Sequence, residues 1–381
     1  MAGPDRFSDK GYRDIRLFKI EDIVNTVLVG DAYEKLQQFP PKVIQSVVTS
    51  PPFFGLRNYG IGGQIGWEDT PFEYTQKLVQ VFRECRRALR DDGTLWLNLG
   101  DSYNGSGKAG LNSSYQQKHT EFGRPSLEKS RFGKPTNVPG LKRKDKIGIP
   151  WRVAFALQGF SVIGNNTLNG WANLLKDAIS RKDWELVELV EGRIRLEALA
   201  IALVKEGWYL RQDIIWSKPN PTPERVKDRP TTSHEYFFLF SKSRHYYYNA
   251  DAIKEPSVSL DPTHPSYRPQ SVEISKGRKI HTGKHSKSVR SYPEKRNKRS
   301  VWTVTTKPYK GAHFAVYPPD LIEPCILAST PGDLDPPAIV LDPFAGSGTT
   351  AFVARKLGRS AISIELKPEY ADIDRRRNNS R

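Results

Sequence analysis

Five consecutive residues place hydroxyls, two prolines and an aromatic ring directly after an apolar, β-branched run: Thr49, Ser50, Pro51, Pro52 and Phe53. A proline fixes its own φ angle, restricts the residue before it and has no amide proton. The segment is therefore stiff. Its carbonyl groups and the Ser50 hydroxyl do not pair with a neighbouring strand and are available to bind another group. Taken alone, the pattern favours a turn that ends a strand and buries a core phenylalanine, so its meaning depends on what lies beside it.

A second candidate segment, 338–366, follows the pattern strand, acidic residue, Gly-x-Gly turn, helix and second strand. Gly346 and Gly348 permit a tight turn, and the helix amino terminus behind them attracts polar ligand groups. The segment lacks the third glycine of the dinucleotide fingerprint and the lysine of a phosphate loop, so neither a nicotinamide cofactor nor ATP is favoured. Glu365 ends the second strand, where an acid is expected to bind ribose hydroxyls. A strand, turn and helix without any ligand is the alternative interpretation.

The elements that would position these two segments alternate as in a doubly wound, Rossmann-like α/β fold with a mostly parallel sheet. A strand and a helix within 26–39 lead back into the strand at 44–48. Further strands are predicted at 93–103, 207–219, 235–243 and 245–249, and helices at 71–89, 147–157 and 166–206. The strands at 235–243 and 245–249 are close enough in the chain to form a terminal hairpin.

The charge of the chain indicates a polyanionic partner. Its 59 Lys and Arg against 42 Asp and Glu give a net charge of +17, for which nucleic acid is the simplest match. Between 276 and 299, ten basic residues accompany a single acidic one. Such a run is usually a solvated loop, but in this basic chain we favour a role in phosphate contacts. The candidate phosphate contacts in the run are Lys276, Arg278, Lys279, Arg290, Arg296, Lys298 and Arg299.

The cysteine content and the hydropathy narrow the class of protein. Cys85 and Cys325 are the only cysteines, without a CxxC pair or a His/Cys cluster, so we expect neither a disulfide framework nor a metal site. Residues 1–30 are charged throughout, and no apolar run approaches the roughly 20 residues of a membrane span. The expectation is a cytoplasmic protein without a membrane segment.

Together, "TSPPF" and "DPFAGSGTT" resemble the S-adenosylmethionine-dependent DNA amino-methyltransferases, and further similar blocks extend the likeness over roughly half the chain. The serine at the start of the tetrapeptide is similar to the cytosine-N4 branch. The base-binding loop lies near the amino terminus and the cofactor loop near the carboxyl terminus, which resembles the β arrangement, a circular permutation. The resemblance implies a seven-stranded sheet with a terminal β-hairpin, inserted DNA-recognition segments, and a prokaryotic or phage origin.

The resemblance also implies roles for individual residues. The Ser50 hydroxyl and the Pro51 carbonyl would accept the two amine protons of a flipped cytosine, and Phe53 would stack on its ring; the implied catalytic loop is Ser50, Pro51, Pro52 and Phe53. Trp216 and Lys218 would contact DNA beside the cleft. S-adenosylmethionine would be held by Asp31, Thr49, Asp342, Phe344, Gly346, Ser347, Gly348, Thr349 and Glu365. For Asp31, a helix N-cap is a nearly equal alternative.

The implied organisation has five parts: residues 20–103 with the catalytic loop, a basic loop at 104–145, the rest of the catalytic part at 146–250, a basic target-recognition segment at 251–300, and a cofactor-binding part at 301–381. Within 146–250, a helical insertion at about 161–206 departs from the family pattern. Whether it contacts DNA, extends the target-recognition surface or makes a dimer contact stays open, as does the choice between monomer and homodimer.

The predicted activity is methyl transfer to the N4 amine of cytosine in double-stranded DNA, in a restriction-modification context with a possible cognate endonuclease. Three alternatives stay open: an adenine-N6 methyltransferase, a catalytically silent DNA-binding protein, and an RNA or protein methyltransferase. Carbon-5 methylation is disfavoured because it needs a nucleophilic thiolate in a proline-containing loop. Cys85 and Cys325 both lie within helical patterns.

Overall fold

The computed structural model describes residues 17–56, 59–105, 138, 140–159, 179–181, 183–187, 207–224, 226–257, 294–306 and 317–379. The strands in these ranges are β1 (Val27–Val29), β2 (Ile44–Thr49), β3 (Leu89–Leu99), β4 (Tyr209–Ser217), β5 (His234–Ser241), β6 (Glu255–Pro256), β7 (Lys295–Arg296), β8 (Val301–Thr303), β9 (Ile339–Asp342) and β10 (Ser360–Glu365). The named helices are α1 (Ile20–Ile23), α2 (Ala32–Gln37), α3 (Pro71–Ala88), α4 (Ile149–Gln158), α5 (Pro319–Ser329), α6 (Thr349–Lys356) and α7 (Pro368–Asn379).

Eight of these strands form one sheet in the order β1-β10-β9-β2-β3-β5-β4-β8. The first five in that order are mutually parallel, β5 is antiparallel to both β3 and β4, and β8 is parallel to β4. The predicted α/β class with a mostly parallel sheet is confirmed. The sheet has one strand more than the predicted seven, because the short β8 pairs with the outer side of β4.

The terminal hairpin is present, but its strands differ from the predicted pair. Strand β5 pairs with β4 and not with 245–249, which is not a strand. The amides of Tyr247 and Asn249 instead donate to the carbonyls of Asp92 and Ala328, at 2.9 and 2.8 Å. The chain therefore leaves the sheet after Ser241. The short sequence separation that favoured 245–249 was outweighed by the longer pairing available with β4.

The core consists of two apolar clusters, and alternate residues of the central strands contribute to each. Val47 and Leu95 belong to one cluster, whereas their chain neighbours Val48 and Trp96 belong to the other. Because successive side chains of a strand point to opposite faces, the two clusters lie on the two sides of the sheet. Every residue of β2 is buried, as expected for a central strand covered on both faces.

The parallel strands bring the candidate segments together. The carboxyl ends of β1, β2, β9 and β10 lie at the same edge of the sheet, where open α/β sheets bind ligands. Ser50 follows β2, and the glycine turn follows β9. Helix α3, which packs below the Ser50 segment, begins with a complete capping box: Thr70 accepts from the Glu73 amide at 3.1 Å, and Glu73 accepts from the Thr70 amide at 3.2 Å.

Several predicted segments lie largely outside the described residues. These are the helical insertion at 161–206, most of the basic loop at 104–145, and residues 258–293 of the basic segment. None of the helices in the described ranges is long and apolar enough to cross a membrane.

Candidate active site

The two segments singled out from the sequence line one pocket. We call residues 50–56 the Ser50 loop and residues 343–348 the glycine loop. The Ser50 loop contributes Ser50, Pro51, Pro52 and Phe53 to the wall, and the glycine loop with the start of α6 contributes Phe344, Gly346, Ser347 and Thr349. Asp31 after β1 and Glu365 at the end of β10 complete this side of the pocket. Residues separated by almost 300 positions in the chain thus surround the same space.

The Ser50 loop is fixed from below by a buried tyrosine. The Tyr74 hydroxyl donates a hydrogen bond to the Pro52 carbonyl at 2.9 Å, and Tyr74 is fully buried on α3. Burial raises the pKa of Tyr74 well above its ordinary value, so the hydroxyl keeps the proton that it donates. The Pro52 carbonyl is therefore turned toward the core.

Phe53 lies directly over a glycine at the end of β3. A Cβ atom added at Gly100 would lie 2.5 Å from the ring carbon Cε2 of Phe53, far inside van der Waals contact. The absent side chain of Gly100 therefore provides the space in which the aromatic ring rests. The ring remains partly exposed and lines the pocket, which leaves it available for stacking.

The Ser50 hydroxyl has a defined partner on β3. It donates to Oδ1 of Asn98 at 3.0 Å, and Asn98 is 2% exposed. The Asn98 amide nitrogen donates in turn to Oε2 of Glu235 and to the Tyr236 carbonyl, each at 3.1 Å. The buried amide is thus held by β5, and it orients Ser50.

Asp342 joins the two loops. Its Oδ1 accepts from the Thr49 hydroxyl at 2.6 Å and from the Phe344 amide at 3.0 Å, and its Oδ2 accepts from the hydroxyls of Tyr317 and Thr350 at 3.0 and 2.7 Å. Burial raises the pKa of the Asp342 carboxyl, although these donors oppose the shift. The carboxylate therefore organises both loops from beneath the pocket.

Glu365 shapes the glycine loop while it faces the pocket. Its Oε2 accepts from the Gly346 amide and its Oε1 from the Lys367 amide, both at 2.8 Å. Burial raises the pKa of its carboxyl. Since a carboxylate oxygen can accept more than one hydrogen bond, the same group can also receive hydroxyl donors of a ligand in the pocket.

Helix α7 supports the glycine loop from behind. Arg377 donates to the hydroxyls of Ser347 and Thr349 at 3.3 and 2.8 Å. A Cβ at Gly348, whose φ is +72°, would lie 2.2 Å from Oδ1 of Asp374. Desolvation raises the pKa of the buried Asp374 carboxyl to about 6. The glycine loop therefore packs against α7 so closely at position 348 that only glycine fits there.

Comparison with known proteins identifies the family to which the chain belongs. The family model described as "DNA methylase" (N6_N4_Mtase) matches residues 44–375, a range that contains the Ser50 loop and the glycine loop. This chain belongs to the N6/N4 DNA methylase family. The membership confirms the predicted class, the S-adenosylmethionine-dependent DNA amino-methyltransferases.

Curated relatives of this DNA methylase are similar over almost their whole length. The Type II methyltransferase M.SmaI of Serratia marcescens is 39% identical over 352 residues, 92% of this chain and 89% of its own. The Type II methyltransferase M.Cfr9I of Citrobacter freundii is 39% identical over 349 residues, 91% and 85% of the two chains. Among solved structures, the PvuII DNA methyltransferase (cytosine-N4-specific) matches with a TM-score of 0.49 and 18% identity, over 92% of this chain and 85% of its own.

The cofactor residues predicted for the DNA methylase fall into two groups. Six of them line the pocket: Asp31, Phe344, Gly346, Ser347, Thr349 and Glu365. Thr49, Asp342 and Gly348 lie behind its wall and are nearly inaccessible or packed against α7. Asp31 lines the pocket and also caps α2, where its side chain accepts from the Glu34 amide at 3.1 Å.

The candidate DNA contacts of the methylase are dispersed. Trp216 is 4% exposed and donates its indole N–H to the Val304 carbonyl at 2.8 Å, so its burial argues against the predicted DNA contact. Lys218 is paired with Glu235. Arg296 and Arg299 both pair with Glu255, at 2.9 and 2.6 Å, and Lys298 lies 5.1 Å from the Trp302 ring centroid. Lys276, Arg278, Lys279 and Arg290 lie outside the described residues.

Sequence reasoning missed several residues of the site. Tyr59, Tyr317 and Tyr370 line the pocket, and the rings of Tyr59 and Tyr370 meet edge to face with centroids 6.4 Å apart. Asn98 was also missed. The only available signal was that Asn98, Tyr317 and Tyr370 fall inside the blocks that resemble the family, since none belongs to a motif with a chemical meaning of its own.

The two cysteines lie away from the chemistry. Both Cys85 and Cys325 are fully buried, and burial raises the pKa of each thiol well above its ordinary value. Neither thiol lines the pocket. The pocket instead presents a hydroxyl, carbonyl groups and an aromatic ring beside a glycine loop, which suits the positioning of an amine rather than attack by a thiolate.

Proposed function

We propose that this DNA methylase transfers the methyl group of S-adenosylmethionine to the exocyclic N4 amine of cytosine in double-stranded DNA. The observation that carries the proposal is the position of Ser50, a neutral hydroxyl at the end of β2 and in the wall shared with the glycine loop. A cytosine amine offers two N–H donors, and a neutral acceptor pair from Ser50 and Pro51 complements them.

The chemistry requires that the amine be reshaped. The lone pair of the N4 nitrogen is delocalised into the ring, and the base is paired inside a duplex, so it must be flipped out. Hydrogen bonds from the two amine protons to Ser50 Oγ and the Pro51 carbonyl favour a pyramidal nitrogen with its lone pair free. Catalysis then consists mainly of positioning and electrostatic stabilisation.

Phe53 is assigned to the face of the flipped base. Its ring rests on Gly100 and lines the pocket beside Ser50. Base-aromatic stacking contributes about 1–3 kcal/mol in single-strand-binding proteins. The ring would therefore hold the base in the plane in which its amine meets the two acceptors.

The cofactor is assigned to the side of the pocket formed by the glycine loop. S-adenosylmethionine supplies a sulfonium methyl group, the electrophile of the reaction. The Glu365 carboxylate would accept hydrogen bonds from the ribose hydroxyls. The backbone amides at the start of α6 would donate hydrogen bonds to polar groups of the cofactor, and Asp31 would lie near the adenine. The edge-to-face pair of Tyr59 and Tyr370 provides an apolar wall for an aromatic ring.

Adenine-N6 is the second candidate for the methylated group. The amines of adenine and cytosine present the same two protons, so the acceptors of the Ser50 loop would suit either base. The absence of an acidic residue at position 50 favours cytosine. Digestion of methylated DNA to nucleosides distinguishes the two.

A role in a restriction-modification system is proposed from the relatives. The curated proteins that are 39% identical to this chain are named Type II methyltransferases. A cognate endonuclease would be a separate chain, and methylation would protect the DNA of the host from it. The net charge of +17 suits a double-stranded DNA substrate.

Transfer of a labelled methyl group tests the proposal. The wild-type protein, Ser50→Ala and Phe53→Ala would be incubated with S-adenosylmethionine and unmethylated bacterial DNA, and cofactor affinity would be measured by calorimetry. We expect label in DNA with the wild type, a loss of about 100-fold or more for Ser50→Ala, and a smaller loss for Phe53→Ala, with cofactor affinity little changed. Equal transfer by all three proteins would contradict the assigned roles.

A further inference from the structure

The Ser50 hydroxyl is the last member of a chain of hydrogen bonds that begins beyond the end of β4. Lys218 pairs with Oε1 of Glu235, whose Oε2 accepts from the Asn98 amide, whose oxygen accepts from Ser50. The exposed fractions of the side chains of Lys218 and Glu235 are 17% and 19%, and Asn98 is 2% exposed. These hydrogen bonds therefore connect the mostly buried end of β4 to the wall of the pocket.

The middle member fixes the direction of every hydrogen bond. The amide nitrogen of Asn98 faces the Glu235 carboxylate and the Tyr236 carbonyl, each at 3.1 Å, and both groups can only accept. An Asn98 amide rotated by 180° would turn its oxygen toward two acceptors and leave both bonds unmade in a buried place. The amide oxygen must therefore face Ser50, and Ser50 must donate.

We propose that Asn98 and Glu235 are positioning residues that hold the Ser50 proton away from the pocket, so that Ser50 Oγ meets the target amine only as an acceptor. The inference rests on the proposed function and deepens it. A hydroxyl has one proton and two lone pairs. With its proton held by Asn98, Ser50 directs lone pairs toward the pocket, where they complement an amine N–H.

The orientation matters for the reaction because a freely rotating hydroxyl would have two opposite effects. In one rotamer it accepts an amine proton and favours the pyramidal nitrogen. In the other it points its own proton at the amine, where it repels the N–H groups or competes for the lone pair that must attack the methyl group. Fixing the rotamer before the base arrives removes the unproductive state without any cost during the reaction.

Lys218 completes the chain of positioning groups. Its ammonium group pairs with Glu235 and lies 4.3 Å from the centroid of the Trp216 ring. The ammonium group pairs with one oxygen of the Glu235 carboxylate, so that the other oxygen is left to accept from the Asn98 amide. This gives Lys218 a role at the site that differs from the DNA contact predicted from the sequence.

Glu235→Gln tests the proposal because it replaces only one carboxylate oxygen with an NH₂ group. The glutamine oxygen would be drawn to the Lys218 ammonium, so its NH₂ group would face Asn98. Two donors cannot share that contact, so only the bond to the Tyr236 carbonyl would still favour the present orientation of the Asn98 amide. In molecules where the amide rotates, its nitrogen faces Ser50, whose proton then turns into the pocket. Glu84→Gln is the matched control, because Glu84 has a side chain 18% exposed and a 2.7 Å pair with Arg87, and it does not line the pocket.

Single-turnover methyl transfer would be measured for both variants in wild-type and Ser50→Ala backgrounds, with cofactor affinity and the thermal unfolding midpoint as further readouts. We expect Glu235→Gln to lower the transfer rate about tenfold or more with cofactor affinity and midpoint close to those of Glu84→Gln. In the Ser50→Ala background, Glu235→Gln should have no further effect, since no Ser50 proton is left to orient.

Two of the possible outcomes would overturn the positioning role, and a third would overturn the proposed function. A wild-type rate in Glu235→Gln would overturn the positioning role. An equal loss in both backgrounds, or a lowered midpoint that accounts for the loss, would overturn it in favour of a purely structural tie between β3, β4 and β5. Absence of methyl transfer by the wild-type protein would instead overturn the proposed function on which the inference rests.

Discussion

The Thr49 hydroxyl donates to Asp342 at 2.6 Å across 293 positions of the chain. Thr49 ends β2 directly before Ser50, and Asp342 ends β9 directly before the glycine loop. A single hydrogen bond thus couples the loop assigned to the base to the loop assigned to the cofactor. Both residues are buried, so water cannot replace a lost partner at low cost.

Thr49→Val is therefore expected to weaken both the fold and the pocket. It keeps the β-branched shape but removes one donor from a buried carboxylate, at a cost of about 1–3 kcal/mol in the free energy of unfolding. Cofactor affinity should fall as well. Urea unfolding and calorimetric titration with S-adenosylmethionine measure the two effects. Thr75→Val, which removes a hydroxyl that donates to the Pro71 carbonyl on α3, is the control, and equal effects of the two variants would contradict the coupling.

Gly100→Ala should impair transfer without weakening cofactor binding. The new methyl group would lie 2.5 Å from Cε2 of Phe53, so the ring must move from the place assigned to base stacking. We expect kcat to fall about tenfold or more. Gly62→Ala, where an added Cβ would meet nothing within 4 Å, is the matched control in steady-state assays. A Gly100→Ala enzyme as active as this control would show that the position of the ring is unimportant.

Tyr74→Phe tests how the Ser50 loop is held. The variant loses the 2.9 Å bond to the Pro52 carbonyl, which leaves that carbonyl unsatisfied above the core. We expect a loss of about 1–3 kcal/mol in the free energy of unfolding and a reduced kcat. Tyr33→Phe changes a tyrosine that is 36% exposed and should do neither. An unchanged Tyr74→Phe enzyme would mean that the loop keeps its shape without this bond.

Asp374→Asn should change the dependence of stability on pH. Since the pKa of Asp374 is raised to about 6 in the folded protein, its contribution to stability is full below the ordinary value near 4 and is lost as the pH rises through about 6. Asparagine stays neutral. Relative to the wild type, the variant should therefore gain up to about 3 kcal/mol between pH 4 and pH 6. Urea unfolding at several pH values measures this, and a parallel pH profile in both proteins would contradict it.

The exposed Asp372→Asn is the control for that experiment. Asp372 lies on the same helix and pairs with Arg375 at 2.7 Å, with 59% of its side chain exposed. Its substitution should leave the pH profile of the wild type in place. A change of the same size in both variants would mean that the charge of α7, rather than the buried carboxyl, controls the effect.

The sequence predicted the parts of the molecule that depend on local pattern. Strand β2 and helix α3 follow from hydrophobic periodicity, and the glycine loop follows from Gly346, Gly348 and the acid at 365. Each of these features is encoded in one continuous segment of the chain, so a single sequence suffices. The partner of β5 was predicted wrongly because sequence separation is a weak guide to pairing when a longer strand is available elsewhere.

The sequence could not predict contacts that exist only after folding. Asn98 meets Ser50 because β2 and β3 are neighbours, and it meets Glu235 because β5 is antiparallel to β3. The family resemblance placed Trp216 beside the cleft, yet the residue is 4% exposed and its strand pairs with β8. Each of these positions depends on sheet order, which the alternation of strands and helices leaves undetermined.

The identity of the methylated nucleoside shows whether the Ser50 loop acts on cytosine. Unmethylated DNA would be incubated with the wild-type protein and S-adenosylmethionine, digested to nucleosides and analysed by mass spectrometry against standards for each methylated base. We expect N4-methylcytosine. N6-methyladenine as the product would contradict the assignment of cytosine to the Ser50 loop, and 5-methylcytosine would contradict the entire arrangement of the site.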